Sequence, residues 1–259
     1  MILLDFIPTW GIFLITVILI FLSFEAGFYF GIYRKNHAKN ESQPPASSII
    51  GATLGLLAFV LTFTFGLAGS RFQERMLLVI DDANAIETTY RRSGFLEESQ
   101  QTQMRDLIYK YVSIRLPNSQ PEDLQQTLTT SDELLNLLWD QATVIAKKNP
   151  NSVMTALFIQ SLNQMIDLHS KRVAMATKIR VPLIIWGALY CVTILSMIAV
   201  GYYSALYRMR SILLNFVMFL AFSGIIFLIA ELDSPHRGFI KVSQVPMTDL
   251  LKRISSSSI

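Results

Sequence analysis

The sequence predicts an all-α polytopic membrane protein: four transmembrane helices, with a four-helix soluble domain inserted between the second and the third. Two observations carry this reading. Residues 49–68, 181–204 and 212–230 contain no charged side chain, and residues 9–33 contain only Glu25. Each stretch supplies the roughly 20 apolar residues that cross about 30 Å of hydrocarbon. Between the second and third stretches, apolar residues recur at helical spacing, with no strand alternation and no solenoid repeat. Composition agrees, since 52% of the residues are hydrophobic and 16% charged, where soluble domains carry about a quarter charged residues.

Span 1 (9–33) is preceded by Asp5 and by no Lys or Arg. A signal peptide would open on a basic segment and carry a shorter apolar run, so a permanent anchor is expected. The span ends in Arg34-Lys35 and a polar loop containing Pro44-Pro45. Span 2 (49–68) runs without a break signal into Arg71-Phe72-Gln73-Glu74-Arg75, where Leu77, Leu78, Ile80, Ala83 and Ile86 give an amphipathic pattern. One helix is therefore expected to leave the membrane and reach Arg92, breaking at Ser93-Gly94. A second helix fits 97–115, stopping before Pro117-Asn118-Ser119. A third is expected from Thr130, where Thr130-Ser131-Asp132-Glu133 reads as a capping box, to just before Asn149-Pro150. A fourth fits 152–178 and feeds span 3 (181–204), with Pro182 at its first turn. The parts are then a transmembrane hairpin (1–70), a helical extramembrane domain (71–180), a second hairpin (181–230) with span 4 at 212–230, and a partly amphipathic tail (231–259) that frays at Ser255–Ser258.

Charge excludes some partners. Residues 71–180 hold 13 basic and 13 acidic side chains, so the soluble domain lacks the concentrated basic surface that nucleic acid requires. The lipid bilayer is the partner the composition demands. Cys191, the single cysteine, lies inside span 3 and excludes an intramolecular disulfide and most thiolate metal sites. His37, His169 and His236 fall in three regions without ligand spacing, and no phosphate loop, nucleophile elbow or zinc motif is present. Asp81-Asp82 and Glu97-Glu98 read as solvated helix surface. No enzyme, cofactor or metal is expected.

Several residues point to transport. Glu25 lies within an apolar span, where an ionisable group costs about 3 kcal/mol. It either lines a pore or pairs with Arg34, Arg208 or Arg210. Span 2 mixes Thr53, Thr62, Thr64, Gly66 and Ser70 with Phe59, Phe63 and Phe65. Hydroxyls could line a pathway and the rings form a constriction that gates by dewetting; alternatively the hydroxyls bond the preceding turn and the rings pack. Gly27 with Gly31, and Gly51 with Gly55, are small-xxx-small pairs at similar depth. They are expected to pack spans 1 and 2 as a tight hairpin, or else one pair joins subunits.

The short loops hold Arg34, Lys35, Lys39, Arg208 and Arg210 against Glu41. By the positive-inside rule these loops are cytoplasmic, and the helical domain and both termini lie outside.

Phe63-x-Phe65-Gly66, Ser70-Arg71-Phe72, Asp82-Ala83-Asn84-Ala85-Ile86 and Tyr90-Arg91-Arg92 together resemble a bacterial bestrophin-like membrane domain family of unknown function. Leu232-Asp233-Ser234-Pro235-x-Arg237-Gly238-Phe239 is similar to that family's closing motif, although Ser234 stands where the pattern usually has Arg or Lys. The family-motif residues here are Arg71, Asn84, Asp233, Pro235, Arg237 and Gly238. The resemblance implies a multi-pass protein of the bacterial inner membrane. Bestrophins are pentameric anion channels with four spans and a helical cytosolic domain, so it also implies a homo-oligomer, inorganic ions as the transported species, and the opposite sidedness to that given by charge. The expected function is an oligomeric ion channel or passive conduit. The alternative is a non-conducting sensor or scaffold whose helical domain binds a ligand or partner protein.

Overall fold

The computed structural model describes residues 8–37, 46–116, 124–177, 179–207, 211–234 and 238–256. They form α1 (Thr9–His37), α2 (Ala46–Arg92), a 3-10 turn (Ser93–Phe95), α3 (Glu98–Ser113), α4 (Leu124–Lys148), α5 (Val153–Thr177), α6 (Leu183–Leu206), α7 (Ile212–Asp233) and α8 (Val245–Ser256). Among the described residues α1, α2, α6 and α7 are long and apolar enough to span a membrane. The protein is a multi-pass, all-α membrane protein. The chain divides into two units, Met1–Phe72 with Arg180–Lys241, and Gln73–Ile179 with Val242–Ile259.

The first unit holds the four apolar segments. α1 runs parallel to α6: Thr16 Oγ1 lies 3.0 Å from Tyr190 Oη, Arg34 Nη1 donates to Tyr202 Oη at 3.1 Å, and Lys35 Nζ to the Leu206 carbonyl at 3.0 Å. α7 runs antiparallel to α1, locked by edge-to-face rings: Phe13 on Phe227 at 5.9 Å and Phe24 on Phe219 at 5.3 Å. Such pairs add about 0.5–1.5 kcal/mol beyond the area they bury. α7 starts at Ser211, whose hydroxyl accepts from the Leu214 N–H.

The glycines correct the expected packing. A Cβ on Gly27 would strike the Ile198 carbonyl, one on Gly31 would meet Ala205 and Tyr202, and one on Gly201 would strike the backbone of Phe24. The tight seam thus joins α1 to α6, where Gly201 and Ala205 form a small-xxx-small pair that the sequence reading passed over. It does not join spans 1 and 2, because a Cβ on Gly51 or Gly55 would meet nothing within 4 Å. Backbones close up only where both helices lack a Cβ obstacle at one level.

The second unit is a five-helix bundle. The part of α2 from Gln73 onward contributes Val79, Ala83, Ile86 and Tyr90; α3 Met104, Ile108 and Tyr111; α4 Leu135, Leu138, Ala142 and Ile145; α5 Phe158, Leu162 and Met165. Every set follows the 3.6-residue period of one buried face. α8 adds Met247, Leu250 and Ile254 to the same core, so residues 245–256 of the tail form a packed helix. Ser152 caps α5 by accepting from the Thr155 N–H at 3.2 Å.

Two further expectations are corrected. α4 begins at Leu124, and Thr130–Glu133 lie inside it as ordinary helix; Ser131 Oγ satisfies itself on the Thr127 carbonyl at 2.7 Å, an i−4 bond that leaves no cap to build. Asp82 is not solvated surface, being fully buried while Asp81 beside it is exposed.

Candidate functional site

Three groups of residues have chemistry to offer, the first being one face of α2 within the first unit. Leu57, Leu61, Thr64 and Ala68 turn inward. Their spacing of four, three and four residues puts Gly51, Gly55, Phe59, Thr62, Phe63 and Gly66 on the opposite side. Phe59 and Phe63 are 69% and 59% exposed, Thr62 is exposed, and a Cβ on Gly66 would meet nothing within 4 Å. The apolar segment of α2 is 17% buried, the least covered of the four. Thr62 and Thr64 bond their own i−4 carbonyls at 2.8 and 2.7 Å. Thr53 stands apart from this face: it is half-buried, bonds the Ile50 carbonyl at 3.0 Å, and its own carbonyl accepts from Ser196 Oγ at 3.2 Å. Glu25, half-buried on α1, lies between the buried Phe24 and the exposed Ala26.

Second is the end of α7. Asp233 Oδ1 accepts the Val181 N–H at 2.9 Å, tying α7 to the segment that starts α6. Two residues back, Glu231 is buried, and its Oε2 accepts the N–H groups of Phe239 and Ile240 at 2.6 and 3.2 Å. Gly238 has φ +133°, and a Cβ there would strike the Glu231 carboxylate. Only glycine tolerates both that backbone and that proximity. Gly238 and Phe239 of the closing motif therefore pack on a buried carboxylate. Of its expected residues, Asp233 and Gly238 take part, and Pro235 and Arg237 lie outside the described residues. Glu231 was missed because the span was read as ending at Ala230. Arg208 and Arg210, candidate partners of Glu25, also lie outside the described residues.

Third is a polar hub inside the second unit. Asp82 Oδ2 on α2 receives Arg172 Nη1 from α5 at 2.6 Å and Arg115 Nη2, beyond the end of α3, at 2.9 Å. Arg172 also donates to Gln244, ahead of α8, at 3.3 Å. Arg115 donates to Tyr111 Oη, which lies 3.0 Å from His169 Nδ1, and His169 Nε2 lies 3.0 Å from Asp132 Oδ1 on α4. Burial pushes the Tyr111 phenol above its usual range. Burial and then Arg115 hold the His169 imidazole below its usual range, with Asp132 opposing. Burial and Arg115 likewise lower Arg172, against Asp82. Beside the hub, α2 and α5 enclose a polar cleft of about 440 Å³ lined in part by Asp81, Asn84, Thr88, Asp167 and Lys171. Asn84 is thus on its wall, while Arg71 is half-buried on α2. Among the described residues no three of His, Cys, Asp and Glu come together as a metal site.

Four apolar helices with a helical bundle built around a continuation of the second define a polytopic membrane protein of the bestrophin type of fold. The Bestrophin-like domain model matches residues 16–247, and the chain belongs to that family. Solved structures agree on the fold. A point mutant of a bacterial bestrophin homologue from Klebsiella pneumoniae superposes with a TM-score of 0.57 at 17% identity, covering 96% of each chain. The same homologue, solved by zinc phasing, gives 0.55 at 16% over 94% of each. A structure described only as a membrane protein variant gives 0.62 at 13%, over 92% of this chain and 95% of that one. No curated protein sequence matches.

Proposed function

We propose that this protein is a homo-oligomeric channel for inorganic ions in the bacterial inner membrane, with the outward face of α2 lining the pathway. The composition of that face carries the proposal. A surface meeting only lipid tails has no use for three glycines and a threonine interleaved with phenylalanines. A surface gathered around an axis does: small residues set its width, and Phe59 and Phe63 supply rings for a constriction that opens and closes by wetting. Membership of the bestrophin-like family supports the reading, and the bestrophin resemblance makes a pentamer the expected ring. Glu25 contributes charge along the path.

The test is ion flux through the purified protein in liposomes, with chloride compared with potassium. The parent is expected to conduct selectively. Phe63→Ala is expected to raise flux several-fold, and Glu25→Gln to change the ratio of the two ions. No flux of either ion, with oligomers shown intact in the same vesicles, refutes the channel and favours a scaffold whose helical unit binds a ligand or partner.

Loop charge supports a sidedness in which the helical unit lies outside the cytoplasm. A cysteine introduced at the exposed Leu137 of a Cys191→Ser chain is expected to react with an impermeant maleimide at the periplasmic side of intact spheroplasts. Labelling only in inverted vesicles would instead establish the cytosolic placement that the bestrophin resemblance implies.

A further inference from the structure

We propose that the second unit carries a latch released by protons: a proton taken up at His169 Nδ1 breaks the bond to Tyr111 and frees α3 from α5. The inference rests on the hub alone and is independent of the channel reading.

The donors and acceptors of the relay admit one arrangement. An ionised Asp132 can only accept, so His169 Nε2 carries a hydrogen and donates it at 3.0 Å. A guanidinium can only donate, so the Tyr111 oxygen accepts from Arg115. The Tyr111 hydroxyl hydrogen is then left for His169 Nδ1, 3.0 Å away, which must be the bare acceptor of a neutral ring. With His169 neutral, each of these atoms is satisfied. Once Nδ1 is protonated it can no longer accept that hydrogen, and the phenol must turn its O–H away to remain in place. Tyr111 is wholly buried, so its hydroxyl has no water to turn to.

The charges facing the ring come from every helix around it. Asp132 on α4 and Asp82 on α2 favour the imidazolium, whereas Arg115 beyond α3 opposes it. Arg172, one turn along α5, is engaged by Asp82. His169 itself is 3% exposed, and burial followed by Arg115 outweighs the two carboxylates and favours the neutral ring. Protonation then favours states in which the ring reaches water, and α3 and α5 are the helices that part. A buried histidine between two helices is a site where one proton is converted into movement.

Hydrogen–deuterium exchange on the full chain in nanodiscs tests this at pH 7.5 and 5.0, after correction for intrinsic exchange. Peptides covering residues 104–116 and 158–172 are expected to lose about tenfold protection at the lower pH. His169→Gln, which cannot titrate, is expected to show equal protection at both. Asp132→Asn, which keeps the histidine and removes the carboxylate favouring its charged form, is expected to deepen the acid loss. The latch is overturned by equal parental protection at both pH values, or by an acid loss that persists in His169→Gln. Should that variant not fold, an acid loss unchanged by Asp132→Asn overturns it equally.

Discussion

Removing the Asp82 carboxylate would leave the guanidinium groups of Arg115 and Arg172, 9% and 18% exposed, without their shared counter-charge. Asp82→Ala is expected to destabilise the second unit by about 3–5 kcal/mol, read as a fall in the thermal unfolding midpoint of the solubilised protein. His169 adds a pH dependence of defined sign. Its folded-state pKa is lowered, so the unfolded chain binds the proton first. The stability contribution is present above the unfolded value of about 6.5 and is lost as pH falls below it. An unfolding midpoint that drops between pH 7 and 5 in the parent, and less in His169→Gln, is the expected result. Both residues were legible in part. Asp82 lies three residues after Val79 and four before Ile86, and His169 lies four after Met165, so each falls on a buried helical face. Adjacent acidic pairs and scattered histidines hide that register, because polarity signals solvent more strongly than position signals burial. At the α1–α6 seam, Gly201→Val is expected to cost at least 1–3 kcal/mol through overpacking, whereas Gly55→Ala leaves the protomer's stability unchanged; detergent thermal melts distinguish the two.

Helices were readable where apolar length or period was unbroken. The passage of α2 from its apolar segment through Arg71 to Arg92 follows from an amphipathic pattern that begins where the apolar run stops. The start of α4 was not readable, because Thr130–Glu133 fits a cap by composition, while in a helix interior Ser and Thr satisfy their hydroxyls on the preceding turn. Residues 231–259 read as a partly amphipathic tail that frays at Ser255–Ser258, whereas Ser255 and Ser256 belong to α8. Its Met247, Leu250 and Ile254 occupy one face of only 12 residues, too short to be stable without a partner. The partner is the bundle, from which Tyr90 Oη donates to the Ile254 carbonyl of α8 at 3.3 Å and Glu87 pairs with Arg253 at 2.9 Å. Leu250→Ala is expected to cost about 2–5 kcal/mol, seen as increased exchange in α8 and in α3, which packs against it.

As a whole, the protein shows how little of a membrane span a single chain can cover. The four apolar segments are between 17% and 33% buried, and lipid or further copies must take the rest. The oligomer proposal makes a specific demand on the least covered helix. In a Cys191→Ser chain, Thr62→Cys is expected to form disulfide-linked dimers on mild oxidation in membranes, and Leu61→Cys, buried at 4% exposure, is not. Equal cross-linking at both positions would remove α2 from the axis. The composition of the second unit carries a consequence for biosynthesis. It closes with residues 242–256, which the ribosome delivers only after α6 and α7 have been made. The bundle of α3, α4 and α5 must wait with one side of its core open until the second hairpin has inserted completely. A chain that inserts only one of those two helices strands α8 on the wrong side of the bilayer and leaves the gap unfilled. Completion of the domain thus reports correct membrane insertion, and misinserted chains present an open apolar core to quality-control proteases.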